Sequence, residues 1–291
     1  MKVLTAQQSK RRRKRKEALK KTAAYVFLSL VGISMIIPFF WMISTSLKES
    51  QAVFEQATPW WRNWIPKKIV LSNYARAWQA VPFARFYLNS IIIAFCVTVG
   101  QVFTSSLAAY AFARLNFPGR DKLFFAYVAT MMIPGSVVII PQFALVRLWG
   151  WVDTYKALII PAMFTAFGTF LLRQFFMTLP KDLEDAAKID GSGFWGTYFK
   201  IILPLSKPAL ATLTTFTFNG NWVSFMWPLL VTNRTQMRTL PVGLEYFQSQ
   251  YSAEWNLLMA GSLMALIPVI VIFIFNQRFF VEGVKLSGIK G

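Results

Sequence analysis

Six nearly unbroken apolar stretches, at 23–46, 86–110, 123–146, 158–176, 209–230 and 258–280, alternate with shorter polar segments along the chain. Each runs 19 to 25 residues, and a helix rising about 1.5 Å per residue needs about 20 to cross the hydrocarbon of a bilayer. The pattern predicts an all-α integral membrane protein with six transmembrane helices. Prolines punctuate it: Pro134 and Pro141 interrupt the third stretch, Pro161 sits near the start of the fourth, and Pro268 falls inside the sixth. Membrane helices tolerate such residues where neighbours take up the freed backbone groups.

The polar segments set the expected orientation. With the N-terminus inside, residues 1–22, 111–122, 177–208 and 281–291 are cytoplasmic, and 47–85, 147–157 and 231–257 are external. Counting Arg173 and Arg278 with the cytoplasmic ends they flank, that side holds 21 Lys and Arg against 10 outside. The excess predicts N-in and C-in. The chain then divides into a basic cytoplasmic tail (1–22), a first helix with its external segment (23–85), a five-helix core (86–280) carrying a cytoplasmic loop at 178–207, and a C-terminal tail (281–291).

Composition agrees with a membrane chain: 55% of residues are hydrophobic and 15% charged, against roughly 25% charged in globular proteins. The net charge of +19 invites a nucleic-acid partner. Ten of the 31 Lys and Arg lie within residues 1–22, however, directly before an apolar segment. There they retain the terminus in the cytoplasm and touch anionic lipid, with no nucleic acid needed. The first apolar run is too long for the core of a cleaved signal peptide. Cys96, the single cysteine, lies in an apolar run and reads as an inert buried thiol. The sequence contains no histidine, which removes imidazole ligands, triads and proton relays; no metal site and no catalytic residue is expected.

No Asp or Glu falls inside the six stretches. Carriers driven by protons commonly place carboxylates at membrane depth, although some ion sites use backbone and hydroxyl oxygens instead. No Gly-x4-Gly-Lys-Ser/Thr loop is present either. The energy for any transport is therefore expected from another subunit, with an ion-coupled carrier as the alternative. What the stretches do carry is neutral polarity. Thr215, Asn219, Trp222 and Met226 fall near one face of the fifth at helical spacing. They read either as hydrogen-bonding glue between helices or as a translocation path for a polyhydroxylated solute. Asn89, Thr98, Gln101, Thr104 and Ser105 of the second pose the same choice.

The segment 177–208 is the polar exception among long apolar runs. Asp182, Glu184, Asp185 and Asp190 supply four of the twelve carboxylates. Pro180 suits a helix start, and acids in the first turn favour the macrodipole. Leu183, Ala186 and Ala187 share a face at i, i+3, i+4. Gly191 and Gly193 break the helix, and a second short one is expected from about Phe194 to Leu203, stopped by Pro204. The expected product is a helix–turn–helix with a small-residue face for a partner and a hydrated acidic face. An ordinary solvated loop is the alternative.

The spacing Asp185-Ala186-Ala187, three residues, Gly191, nine residues, Ile201, one residue, Leu203-Pro204 resembles the EAA loop of binding-protein-dependent ABC importer permeases, with Asp185 where that family usually has Glu. Further segments are similar to the maltose-type carbohydrate permeases: NSIIIAF at 89–95, YAFARLNFPGRD at 110–121, FNGNWVSFMWPLL at 218–230, RTLPVGL at 238–244 and the terminal QRFFVEGVKLSGIKG. The resemblance runs from about residue 23 to the end.

That resemblance implies a type I ABC transmembrane subunit in a bacterial or archaeal cell membrane. It implies a second, non-identical permease, two ATPase subunits and an extracytoplasmic solute-binding protein as partners. The chain itself would hold no cofactor, with ATP and magnesium on the ATPases, and would be no enzyme. The loop would dock on the ATPase through Glu184, Asp185, Ala186, Ala187, Asp190, Gly191, Ile201, Leu203 and Pro204. A sugar is the implied solute; permeases for other solutes share the loop. The external run EYFQSQYSAEW at 245–255, with Tyr246, Phe247 and Tyr251, is expected at the channel mouth against the binding protein.

Overall fold

The structure is a computed structural model that describes residues 6–55, 58–248 and 254–287. Among these residues every regular element is helical. Residues 77–252 with 264–291 form one compact unit, and 1–76 with 253–263 another.

In the smaller unit, helix α1 (Ala6–Ser46) continues without a break from the basic tail through the first apolar stretch. Its apolar window, within Arg15–Ser46, has no residue buried inside the chain. An apolar surface left bare to this degree is one for lipid or another subunit. Its last carbonyls are closed by an asparagine pair. Asn73, at the start of α2 (Ser72–Ala80), donates from Nδ2 to Ser46 O at 2.9 Å and Lys48 O at 2.8 Å, and Asn256 Nδ2 donates to Asn73 Oδ1 at 3.2 Å. Buried Lys48 lies 4.7 Å from the Trp41 ring centroid and donates to Asn63 O. Desolvation by burial holds its pKa below the ordinary lysine value.

The larger unit is built on α3 (Phe83–Arg114), a helix of 32 residues that carries polar side chains along most of its length. Helix α4 (Arg120–Ala129), ending in a 3-10 turn at Thr130–Met132, and α5 (Gly135–Leu148) come from the third apolar stretch. The two halves are bent by 99°, so the stretch at 123–146, which prolines interrupt in the sequence, is broken into two helices. Pro134 is the cause: the residue before proline is driven out of the α region, and Ile133 is extended at φ −83°, ψ 116°.

The fourth stretch is also stepped, through α6 (Tyr155–Ile159), a 3-10 turn at Pro161–Met163 and α7 (Ala166–Thr178). Carbonyls freed at this step are taken up by α3. Gln101 Nε2 donates to Ala162 O and Thr104 Oγ1 to Met163 O, both at 2.7 Å. Gln101 Oε1 in turn accepts from Thr217 Oγ1 at 2.7 Å. Close approach of α7 to α3 needs Gly168, where a Cβ would lie 2.5 Å from Ser105 Oγ.

Helix α8 (Asp182–Ile189) opens the polar loop, followed by α9 (Phe194–Thr197), a π turn at Tyr198–Ile202 and α10 (Leu203–Leu205). Helix α11 (Lys207–Trp222) leaves at 77° to that segment. The fifth stretch was expected as one span over 209–230; the straight helix instead ends at Trp222 and resumes as α12 (Met226–Val231). The break places Pro228 in the first turn of α12, where its missing N–H has no helical partner to lose. Helix α13 (Leu240–Leu244) and α14 (Trp255–Ser287) complete the chain, α14 running on through Pro268. Among the described residues, four helical segments are thus long and apolar enough to cross a membrane, or up to six if each bent pair is one span.

Three apolar clusters hold the larger unit together. At the α8 end, Tyr110, Leu172, Phe176, Tyr198, Ile202 and Leu213 pack. Phe83, Phe86, Phe218, Trp222 and Leu240 form a second cluster with Met264 and Ala265, and Ile93, Val97, Val146, Leu158 and Val231 a third. The connections 149–154 and 232–239 are joined by Asp153, a residue at φ 59°. Its Oδ1 accepts from the backbone N–H of Asn233 at 2.7 Å and of Arg234 at 2.8 Å, and Arg234 Nη2 donates back to Asp153 O at 3.1 Å.

Candidate functional site

The polar loop folds as its local signals direct. Lys181 accepts at its carbonyl from the N–H groups of Glu184 and Asp185 at 2.9 and 3.1 Å, and Asp182, Glu184 and Asp185 occupy the positive first turn of α8. The far end closes on a left-handed residue: Gly191 has φ 76°, Ser192 N donates to Ala187 O at 2.8 Å and Gly191 N to Lys188 O at 3.0 Å. These are the two bonds of a Schellman stop, and a side chain at Gly191 would strain it. Asp190, exposed, precedes it and donates from its N–H to Ala186 O at 3.0 Å.

Three details differ from the expectation. First, the acidic face is not wholly hydrated. Glu184 is buried, its Oε1 3.0 Å from Arg114 Nη1, and that guanidinium is itself only 3% exposed. A carboxylate at this place finds a better partner than water because α3 ends there with a cation. Asp185 behaves as expected, exposed and 3.0 Å from Lys188 Nζ. Second, Leu183, Ala186 and Ala187 divide: Ala187 is buried, while Ala186 and Leu183 face outward. Third, Pro204 does not stop the second helix. It lies in the first turn of α10, exposed, and the turn ends at Ser206. Ile201 and Leu203 are half-buried. The π turn is pinned to α3 by Tyr198 Oη and Ser106 Oγ at 2.7 Å, and α9 by Tyr110 Oη donating to Phe194 O at 3.2 Å. Outward, the loop presents Ile189, Phe194 and Trp195, which are 87%, 69% and 65% exposed.

The four residues Thr215, Asn219, Trp222 and Met226 do not form one surface. Trp222 is 3% exposed, stacked on Phe218 at 5.7 Å, and donates from Nε1 to Ala265 O at 2.9 Å. Thr215 Oγ1 donates to Ala211 O and accepts from Asn276 Nδ2, both at 2.9 Å. Both hydrogen-bond α11 to α14. Asn219 is exposed, and Met226, also exposed, begins the next helix beyond the break. Helical spacing fails for Met226 because α11 ends at Trp222.

The polar groups of α3 are also chiefly glue. Asn89 donates from Nδ2 to Gln236 O and Arg238 O at 2.8 Å each and accepts from Tyr155 Oη at 2.7 Å. Thr98 donates to Ala94 O at 2.6 Å, and Ser105 is buried against Gly168. Of the external aromatics, Phe247 is 5% exposed, a correction to its expected exposure; Tyr246 is 46% exposed, stacked on Phe86 at 6.2 Å. Tyr251 lies outside the described residues.

What spacing missed is a cavity of about 200 Å³ where the broken helices converge. Gln142 of α5, Pro161 and Ala162 of the 3-10 step, and Asn221, Ser224 and Trp227 around the α11–α12 break line it, with Ser90 and Thr239. Thr239 Oγ1 is buried without a hydrogen-bond partner, while Ser90 Oγ accepts from Leu240 N at 2.8 Å. Pro161 and Pro228 beside polar residues were the available signal. The lining offers neutral donors and acceptors plus one indole, with no charged group.

Residues 101–285 match the family described as binding-protein-dependent transport system inner membrane component. Among curated relatives, the chain is 36% identical to the arabinooligosaccharides transport system permease protein AraQ of Halalkalibacterium halodurans, over 82% of this chain and 88% of that one. It is 31% identical to the probable ABC transporter permease protein YurM of Bacillus subtilis, over 96% and 91%. Identity to the sn-glycerol-3-phosphate transport system permease protein UgpE of Yersinia pestis is 36%, over 87% and 92%. A chain of a bacterial ABC transporter that imports the acidic polysaccharide alginate shares the fold, with a TM-score of 0.79 at 24% identity over 91% of this chain and 98% of that one.

Proposed function

We propose that this chain, which belongs to the family of binding-protein-dependent transport system inner membrane components, forms half of the translocation path of an ATP-driven carbohydrate importer. As a permease subunit it is not an enzyme; ATP and magnesium belong to separate ATPase subunits. In this reading a second, non-identical permease completes the path, and the N- and C-termini are cytoplasmic, as the distribution of Lys and Arg favours.

The observation that carries the coupling role is the form of the α8–α9 turn. It is held to the bundle on one side and offers Ala186, Ile189, Phe194 and Trp195 on the other. Exposed apolar groups on a polar loop mark a docking surface. A methyl group at Ala186 lets the ATPase approach closely, and Gly191 fixes the turn.

The 200 Å³ cavity supports the solute assignment. Neutral amides, hydroxyls and an indole suit sugar hydroxyls and C–H faces. Two of the relatives and neighbours are named for arabinooligosaccharides and alginate. The glycerol-phosphate relatives mark a second reading, a polyol phosphate, but no Lys or Arg lines the cavity to meet a phosphate. The test is ATPase stimulation of the reconstituted complex by its binding protein, loaded across a panel of neutral oligosaccharides, uronate oligosaccharides and sugar phosphates. Stimulation by sugar phosphates alone would overturn the carbohydrate assignment. A reporter fused after Gly291 is expected in the cytoplasm and one inserted at Gln248 outside; a cytoplasmic signal at Gln248 would reverse the orientation.

A further inference from the structure

Arg114 is the last residue of α3, and its guanidinium meets three elements at once. Nη1 lies 3.0 Å from Glu184 Oε1 on α8. Nη2 donates to Phe176 O and, at 2.7 Å, to Leu179 O, carbonyls at the end of α7. The C-terminus of a helix favours a cation and leaves carbonyls without partners, so α7 and α8 are both drawn to one side chain. The guanidinium fork holds its donors in fixed directions, whereas an ammonium is a compact charge on a flexible stem.

Few other atoms tie α8 to the bundle. Its two buried residues are Glu184 and Ala187, and Ala187 contributes a methyl. The remaining acids, Asp182, Asp185 and Asp190, are exposed. At its other end α3 carries Ser90 on the cavity wall and, midway, Gln101 under the step of the fourth span. A displacement of α8 therefore reaches the cavity through Glu184, Arg114 and the length of α3. The pair is also incompletely bonded: Arg114 Nε and Glu184 Oε1 lack hydrogen bonds of good geometry. It borders an open groove of about 600 Å³ with Tyr110, Asn116 and Ser192. A buried pair serving stability alone gains from closing those bonds; an open one has room to change partners.

We propose that the Arg114–Glu184 ion pair is the positioning link that transmits movement between the ATPase-docking helix α8 and the solute cavity. The proposal rests on the coupling reading above. Neither residue touches ATP or solute, so both act through the elements they hold.

The test compares single and double neutral variants in the reconstituted complex: Arg114→Gln, Glu184→Gln, the two combined, and Arg114→Lys. Retained ATPase subunits, basal phosphate release and its stimulation by a binding protein loaded with a mixed oligosaccharide hydrolysate are measured. Each single neutral variant leaves one buried charge alone and is expected to assemble poorly. Glu184 is buried against Arg114 and so lies off the exposed docking face; the double variant, which removes both charges, is expected to assemble, keep its ATPase subunits and hydrolyse ATP. Its stimulation by the binding protein should fall at least about tenfold, the scale of a lost coupling free energy. Arg114→Lys keeps the charge without the fork and should fall between. Normal stimulation in the double variant would overturn the link, and so would failure of that variant to assemble, which marks a folding contact only. If Ala186→Leu leaves ATPase binding unchanged, the docking reading itself fails, an outcome separate from either.

Discussion

The α8–α9 turn and the cavity at the α11–α12 break are both polar places among apolar helices, the turn acidic and the cavity neutral. The turn is specified locally. Acids in the first helical turn, Gly191 at the left-handed position and Pro204 all act on neighbours within one short segment. The cavity is specified by distant residues, with Ser90, Gln142, Asn221 and Thr239 coming from separate elements. A locally encoded surface can be read from spacing. A tertiary one depends on where helices break, and each break alters which side chains face inward.

The comparison predicts unlike responses to substitution. The largest effect should come from Trp222→Ala, which deletes a buried ring and its bond to Ala265 O. A loss of about 3–5 kcal/mol is typical of such a truncation. Thermal unfolding of the purified complex should show it. If stability were unchanged while solute affinity fell, Trp222 would belong to the path after all. Asn221→Ala, in contrast, should weaken solute-dependent stimulation with little change in unfolding temperature.

Gly191→Val comes next. A β-branched residue at φ 76° carries a backbone cost of about 1–3 kcal/mol and loses the helix stop. Membrane assembly with the partner permease should survive while bound ATPase and transport are lost. Ala186→Leu should be milder. Overpacking the docking face by about 1–3 kcal/mol weakens ATPase association about ten- to hundredfold, read as subunits retained on purification. The smallest expected effect is Asp153→Asn. An amide oxygen can still accept from Asn233 and Arg234, so unfolding should shift by less than about 1 kcal/mol, the range of an exposed ion pair. A larger shift would show that the charge itself holds the two connections.

These contrasts also mark what the sequence can disclose. Six apolar stretches, their approximate limits and the polar loop were legible because length and composition decide whether a helix can cross a bilayer. The left-handed Gly191 followed from its place after a periodic helix. Glu184 as a buried anion was not legible, since nothing near it in the chain announces Arg114; the pairing exists only after α3 and α8 meet. Met226 was grouped with Thr215, Asn219 and Trp222 by continuing one helix over 209–230, whereas α11 ends at Trp222. Gln101 looked like either glue or path, and the carbonyl that its amide binds is freed only by the step at Pro161, which spacing does not show.

The pairing of charges at the loop end has an electrical consequence. Arg114 faces Glu184, and Arg173 lies 3.4 Å from Asp121, so each of these two cations has an anion beside it. Moving one elementary charge through the membrane field is worth about 2.3 kcal/mol per 100 mV, whereas a paired dipole carried as a unit couples only weakly to that field. Movement of these two pairs as units would therefore add little gating charge.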